Sequence, residues 1–192
     1  MKKVLCAALL LLSFTFAFGQ DGKDVAKKEK SITFFGVDFS LAKAIGVGET
    51  PGVLKNAFDN INMLFTTEAK KYNIYSYFSK ENVVNSFDMV NKLNRTIDES
   101  SLIGTDKGYT ISSEMLAKHV KAYETNGSGM GLIFVAERLD KLEARGYFHV
   151  VFFDLKTKEI ILDRRASGNA NGFGVRNYWA NPIYKIVKAW SY

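Results

Sequence analysis

Gly146-Tyr147-Phe148-His149-Val150-Val151-Phe152-Phe153-Asp154-Leu155 is the stretch on which the fold turns. Side chains alternate along a strand, so Tyr147, His149, Val151 and Phe153 point one way and Phe148, Val150 and Phe152 the other. Both sets are largely apolar, which places this strand centrally in a sheet covered on both faces. Upstream, Leu132-Ile133-Phe134-Val135-Ala136 is a short continuous apolar run with the same reading. Downstream, Lys156-Thr157-Lys158 is a polar turn. Glu159 to Ser167 then returns as a third strand, with Ile160 and Leu162 on one face and Ile161 and Asp163 on the other. Two strands with a short polar connection make a hairpin. After the glycine-rich run Gly168-Asn169-Ala170-Asn171-Gly172-Phe173-Gly174, residues Trp179, Ile183, Ile186, Val187 and Trp190 recur at helical spacing. A proline inside a helix costs about 3 kcal/mol. Asn181 is therefore the expected N-cap and Pro182 the first helical residue.

The earlier chain alternates. Ser31 to Phe39 reads as a strand and Leu41 to Glu49 as a loop. Thr50-Pro51 starts the best helix, with Leu54, Ala57, Phe58, Ile61, Leu64 and Phe65 as its buried stripe and an end toward Tyr72. Tyr72 to Phe78 fits a strand or a helical turn. Asn82 to Phe87 is a short strand, Asp88 caps a short helix, Asp98 to Tyr109 is a loop, and Ser112 caps a helix to Tyr123. The order predicts the α/β (α+β) class: one domain at 31–192, a mixed sheet of about five strands with helices packed on it, and a C-terminal hairpin followed by a helix.

Residues 1–19 read as a signal peptide: Lys2 and Lys3, an apolar run from Val4 to Phe18, and small residues at Ala17 and Gly19. The run is too short for a comfortable membrane span, so no transmembrane segment is expected in the mature chain. The only cysteine, Cys6, lies inside it. A mature chain without thiols fits a bacterial periplasmic or secreted protein better than a disulfide scaffold. Residues 20–30 read as a polar, solvated tether. Loss of Lys2 and Lys3 takes the formal charge from +6 to +4, enough for a weak pull toward anionic surfaces and not a nucleic-acid footprint.

Catalytic motifs fail on inspection. Ser40-Leu41-Ala42-Lys43 matches Ser-x-x-Lys, but its usual partner motifs are missing. Ser128 lacks the glycines of a nucleophile elbow, and the 168–174 run lacks the Walker and dinucleotide spacings. His119 sits on an apolar helix face and His149 in a central strand, neither with a carboxylate at ligand spacing, so both read as structural. Asp154 and Asp163 flank the hairpin turn and read as solvated. No catalytic residue, metal ligand or cofactor is expected. The remaining candidate is a partner-binding face of Arg164, Arg165, Gly172, Phe173, Gly174, Arg176, Asn177, Tyr178 and Trp179, where arginine and tryptophan combine as in binding hot spots.

Phe34 to Ser40, Tyr147 to Lys158 and Gly172-Phe173-Gly174-Val175-Arg176-Asn177-Tyr178-Trp179 resemble a family of uncharacterised exported proteins of the Bacteroidetes. The resemblance covers nearly the whole mature chain and implies lineage and compartment. In topology the pattern is also similar to small periplasmic α/β domains of the TolB N-terminal and curli-secretion-lipoprotein type, which act by binding partners. The expected function is that of an exported, non-enzymatic α/β domain binding an envelope or extracellular partner, a protein or a glycan. The alternatives are a hydrolase or transferase with a dispersed site, or a small-ligand binder that uses Tyr72, Tyr75 and Tyr77.

Overall fold

The computed structural model describes residues 20–192. The signal-peptide expectation and Cys6 lie outside those residues. In chain order the elements are α1 (Gln20–Lys28), β1 (Ser31–Asp38), β2 (Lys43–Ile45), α2 (Pro51–Thr67), α3 (Ile74–Tyr77), β3 (Asn82–Asn85), α4 (Asp88–Arg95), α5 (Glu99–Leu102), β4 (Ile103–Gly104), α6 (Ser113–Lys121), β5 (Met130–Asp140), β6 (Arg145–Asp154), β7 (Ile160–Asn169) and α7 (Val175–Lys188). They form one mixed sheet of seven strands. Its main path runs β3-β1-β5-β6-β7, and β4-β2 continues the line of β3-β1 beside the far half of β5. β1 is parallel to β3 and β5, while β5-β6 and β6-β7 are antiparallel. No described helix is long and apolar enough to cross a membrane.

Local chemistry sets the ends of two main helices. Thr50 accepts from the Val53 N–H at 3.4 Å with Pro51 in the first turn, and Ser112 accepts from the Met115 N–H at 3.1 Å. These satisfy amides that the first helical turn leaves unpaired. α2 stops at Thr67, short of Tyr72, and Tyr72 to Phe78 resolves into the helical turn α3. The expected loops at 41–49 and 98–109 each contribute a short strand, β2 and β4.

Two apolar cores lie on opposite faces of the sheet. The larger gathers Phe34, Phe134, Phe148 and Phe152 from the strands with Phe58 of α2 and Trp179 and Ile183 of α7. The smaller holds Phe35, Ile133, Val151 and Phe153 with Val90 of α4 and Leu116 and Val120 of α6. The alternation read along 146–155 therefore holds. On β7 it does not: a register shift opposite Phe152/Phe153 turns both Ile161 and Leu162 toward the larger core and leaves Ile160 against the smaller one.

The expected tether is instead helical. Ala26 of α1 is fully buried, and the Lys80 ammonium donates to the Ala26 and Glu29 carbonyls at 2.5 and 2.7 Å. A cation at a helix C-terminus answers both the unpaired carbonyls and the helix dipole. The short polar segment carried no apolar stripe to announce this, because one alanine and a distant lysine do the anchoring.

The start of α7 is a second correction. The helix begins at Val175 with Gly174 as N-cap, and Pro182 lies inside it. What accommodates this proline is the strand pair beneath. Gly146 and Gly168 are cross-strand partners, and a Cβ on Gly168 would sit 2.4 Å from the Pro182 carbonyl oxygen. Two facing glycines let the helix backbone settle on the sheet. The dense packing of Trp179, Ala180 and Ile183 then offsets the lost helical hydrogen bond.

Candidate functional site

Two irregularities in the strands carry charged groups onto the smaller face. In β1 the pairing with β5 slips between Phe34 and Val37, around Gly36 at φ +85°. A left-handed φ is cheap only for glycine, and one extra residue reverses the side-chain phase. Val37 and Phe39 consequently enter the larger core, and Asp38 emerges on the opposite side. Asparagine amides from the neighbouring helices finish this strand edge. Asn62 accepts from the Val37 N–H at 2.8 Å and donates to the Val37 carbonyl at 3.1 Å, and Asn94 accepts from the Phe39 N–H at 2.7 Å. In β5 the pairing slips between Ala136 and Arg138, so Glu137 and Arg138 both face the same side as Tyr147 and His149.

Asp38, fully buried, accepts from the Tyr123 hydroxyl at 2.7 Å and the Ser40 N–H at 2.8 Å, and its Oδ2 lies 2.7 Å from His119 Nε2. Burial works against its ionisation, but the hydrogen bond and charge of His119 and the bonds from Ser40 outweigh it, and its pKa falls. The same surroundings push the Tyr123 hydroxyl well above its ordinary value, through burial first and then the adjacent carboxylate. Ser40 Oγ is 3.2 Å from that same His119 Nε2. A serine relay needs the carboxylate on one imidazole nitrogen and the hydroxyl on the other. With both on Nε2, this trio is a hydrogen-bonded brace between β1 and α6.

The second cluster surrounds Glu137. Arg165 donates to it through Nε and Nη2 at 3.0 and 2.6 Å, the Ile111 N–H donates at 3.0 Å, and His149 Nε2 stands 3.3 Å away. His149 Nδ1 meets Asp163 at 2.8 Å. Burial alone would raise the Glu137 pKa, but the bonds from His149, Arg165 and Ile111 bring it to about 2. Burial likewise opposes protonation of His149, yet Asp163 and Glu137 together raise it to about 9. At neutral pH the group is therefore an ionised array of two carboxylates and two cations. The guanidinium carbons of Arg138 and Arg165 lie 4.3 and 5.0 Å from the Tyr147 ring centroid and extend the array to the surface.

This arrangement has a measurable signature. A histidine whose folded pKa exceeds its unfolded value contributes stability that is complete below the unfolded pKa and lost as pH rises through the folded one. Between pH 6.5 and about 9 the His149 contribution should fall by up to about 3 kcal/mol. Lys80, which burial lowers to about 8, acts in the opposite sense above that pH. The measurement is thus the difference in urea stability between wild type and His149→Gln across the range. A difference that shrinks with rising pH is expected; a flat one refutes the assignment.

The face expected from the sequence is divided. Arg164 and Arg165, adjacent in β7, point to opposite sides of the sheet. Arg164 lies over the Trp190 ring at 5.4 Å and donates to the Ser191 carbonyl, while Arg165 is committed to Glu137. Trp179 has 0 % exposure and is a core residue, which corrects its placement on an exposed face. Tyr178 is half-buried under the Lys141 ammonium, 4.9 Å from its ring. Gly172, Phe173, Gly174, Arg176 and Asn177 do share one exposed loop and helix start. There Asn177 Nδ2 donates to the Phe173 carbonyl at 3.1 Å, and Asn177 Oδ1 accepts from Arg176 at 2.9 and 3.0 Å.

Sequence reasoning gave Asp38, Tyr123, Glu137 and Tyr147 no place at a site, weighed Ser40 only in the rejected Ser-x-x-Lys match, and read both histidines as lacking carboxylates. Asp163 is exposed, as expected, but it also pairs with His149 Nδ1. Asp154 caps the hairpin turn, accepting from the Lys156 and Thr157 N–H groups at 2.8 and 2.7 Å. The available signal was a charge inside each apolar strand, Asp38 and Glu137, where an unpaired carboxylate would be costly. Two surface depressions, of about 280 and 190 Å3, are lined around Lys43, Ser101 and Tyr109 and around Phe65, Tyr72 and Tyr75. Neither includes either histidine. Among the described residues no group of three or more His, Cys, Asp or Glu is placed to hold a metal ion.

Fold and site together define a one-sheet α/β domain in which two buried carboxylate–histidine pairs lie on the smaller face. No protein-family model matches this chain, and no curated protein matches it either.

Proposed function

We propose that this chain is an exported, non-enzymatic α/β domain that binds an envelope or extracellular partner through the loop before α7. The observation that carries the reading is Phe173, 96 % exposed at the loop tip. Isolated exposed apolar side chains are common, but this one is held out by its surroundings. Gly172 and Gly174 take φ of +120° and +79°, and the Asn177 amide ties down the Phe173 carbonyl. A pre-ordered anchor loses less entropy on binding. The histidines support the non-enzymatic part of the reading, because both are engaged by carboxylates and His149 is already protonated at neutral pH.

The test is affinity capture from solubilised envelope, with wild type beside a Phe173→Ser/Arg176→Glu variant. Both positions are exposed, so circular dichroism and melting should be unchanged. A partner retained by wild type and lost by the folded variant supports the reading, whereas identical capture by both removes the loop from it. A second reading, small-ligand binding, draws on the 190 Å3 depression at Phe65, Tyr72 and Tyr75, a size suited to a single ring.

A further inference from the structure

We propose that the partner of the 170–176 loop is an anionic lipid surface, with Phe173 entering the headgroup–acyl boundary and Arg145 and Arg176 meeting the phosphates. The inference rests on the binding reading and names its partner. Three observations converge on it.

The first is shape. Phe173 is a convex projection, and neither surface depression borders it. A protein partner would have to bring a matching cavity, whereas a bilayer closes around any apolar protrusion.

The second is charge. Ala170 donates its N–H to the Ala144 carbonyl at 2.7 Å, and Arg145 pairs with Asn169, so the β5–β6 turn and the 170–174 loop share one end of the sheet. On this rim the carboxylates are occupied: Glu49 by Lys141, Glu143 by Arg138 and Tyr147, and Asp140 by the turn amides of Leu142 and Glu143. Arg145 and Arg176, by contrast, hydrogen-bond only to the neutral Ser167 hydroxyl and Asn177 amide oxygen. The rim therefore presents two cations that an anionic surface can pair.

The third is a second apolar contact. Leu142, at the tip of the β5–β6 turn, is 62 % exposed. It offers a further apolar group at the same end of the sheet.

Magnitude sets the kind of binding. Transfer of one phenylalanine is worth about ten- to a hundredfold in partitioning. Each cation near an anionic leaflet adds about fivefold. The product is weak and reversible, below the roughly 10⁴ M⁻¹ of a single myristoyl chain. The loop thus orients or concentrates the domain at a membrane and does not anchor it.

The described residues 20–192 contain both cores, so this segment is the protein to test. Phe173→Trp provides a local reporter, read against the parent signal of buried Trp179 and half-buried Trp190. With vesicles of phosphatidylcholine containing phosphatidylglycerol, its emission should shift to the blue and be quenched by brominated acyl chains. Phosphatidylcholine alone should have much less effect, and added salt should weaken the response. In vesicle co-sedimentation, Phe173→Ser should bind at least about tenfold more weakly, and Arg176→Glu at least about fivefold more weakly. Unchanged Phe173→Trp emission with anionic vesicles, or undiminished sedimentation of Phe173→Ser, overturns the proposal. If vesicles fail but an envelope protein is captured through Phe173, the lipid assignment falls and the binding reading stands. If both fail, both fall.

Discussion

Glu137→Gln is expected to destabilise the fold by about 3–5 kcal/mol in urea unfolding at neutral pH. The carboxylate is fully buried and is the shared acceptor for Arg165, His149 and the Ile111 N–H. Glutamine keeps the shape but removes the charge. The buried His149 imidazolium then keeps only the exposed Asp163 as a counter-ion, and removing one partner of a buried charge pair is what makes such variants costly. Arg165→Gln provides the contrast. Its guanidinium side is 45 % exposed, and a hydrogen bond to a charged group there is worth about 1.5–3 kcal/mol before solvent screening. A smaller loss is therefore expected. Should Glu137→Gln cost under about 1 kcal/mol, the network would not be what secures β5 to β6 and β7. A further expectation concerns acid. Because the Glu137 pKa lies near 2, below the ordinary 4.5, its contribution is complete above pH 4.5 and declines as pH falls toward 2.

Trp179→Ala is expected to cost about 3–5 kcal/mol, again read from denaturant unfolding. The indole is the largest fully buried side chain, seated between α7 and the sheet, with the Tyr178 ring edge-on at 4.9 Å. Truncation opens a cavity in the larger core that the rigid strands cannot fill. Trp179→Phe should lose far less. It keeps most of the packing and removes an indole N–H that has no hydrogen-bond partner. The pair of variants bears directly on function. If binding disappears in Trp179→Ala, the first explanation is loss of the fold beneath the loop. Binding retained by Trp179→Phe and lost by Phe173→Ser would separate the support from the surface.

The position of Trp179 also shows how far one-dimensional reading reaches. Its spacing with Ile183, Ile186 and Val187 correctly marked an apolar stripe, yet its neighbours Arg176 and Tyr178 made it look like part of an exposed hot spot. Helical phase decides between the two, and phase depends on where the helix begins. Setting the start at Asn181 left Trp179 outside the helix; with Gly174 as the cap, Trp179 turns inward and Arg176 outward. The split of Arg164 from Arg165 has an equally simple cause, since consecutive strand residues face opposite sides. In both cases proximity in sequence was taken for proximity in space.

Residue order alone was sufficient for the α/β class, the C-terminal hairpin of β6 and β7, the caps at Thr50 and Ser112, and the apolar stripes of α2 and α7. Each of these depends on periodicity or on a side chain bonding within three residues of itself, so a short window contains its cause. Packing in three dimensions determined the rest. Slips in strand register at Gly36 and Glu137 select the face on which Asp38 and Glu137 emerge, and a register slip is a property of two strands at once. Asp38 meets His119 across 81 residues, and Glu137 meets Arg165 across 28. Lys80 converts a polar N-terminal segment into a docked helix from 54 residues away. These pairings arise because a buried charge must find an opposite charge or a carbonyl wherever the folded chain places one, and no local pattern records where that will be.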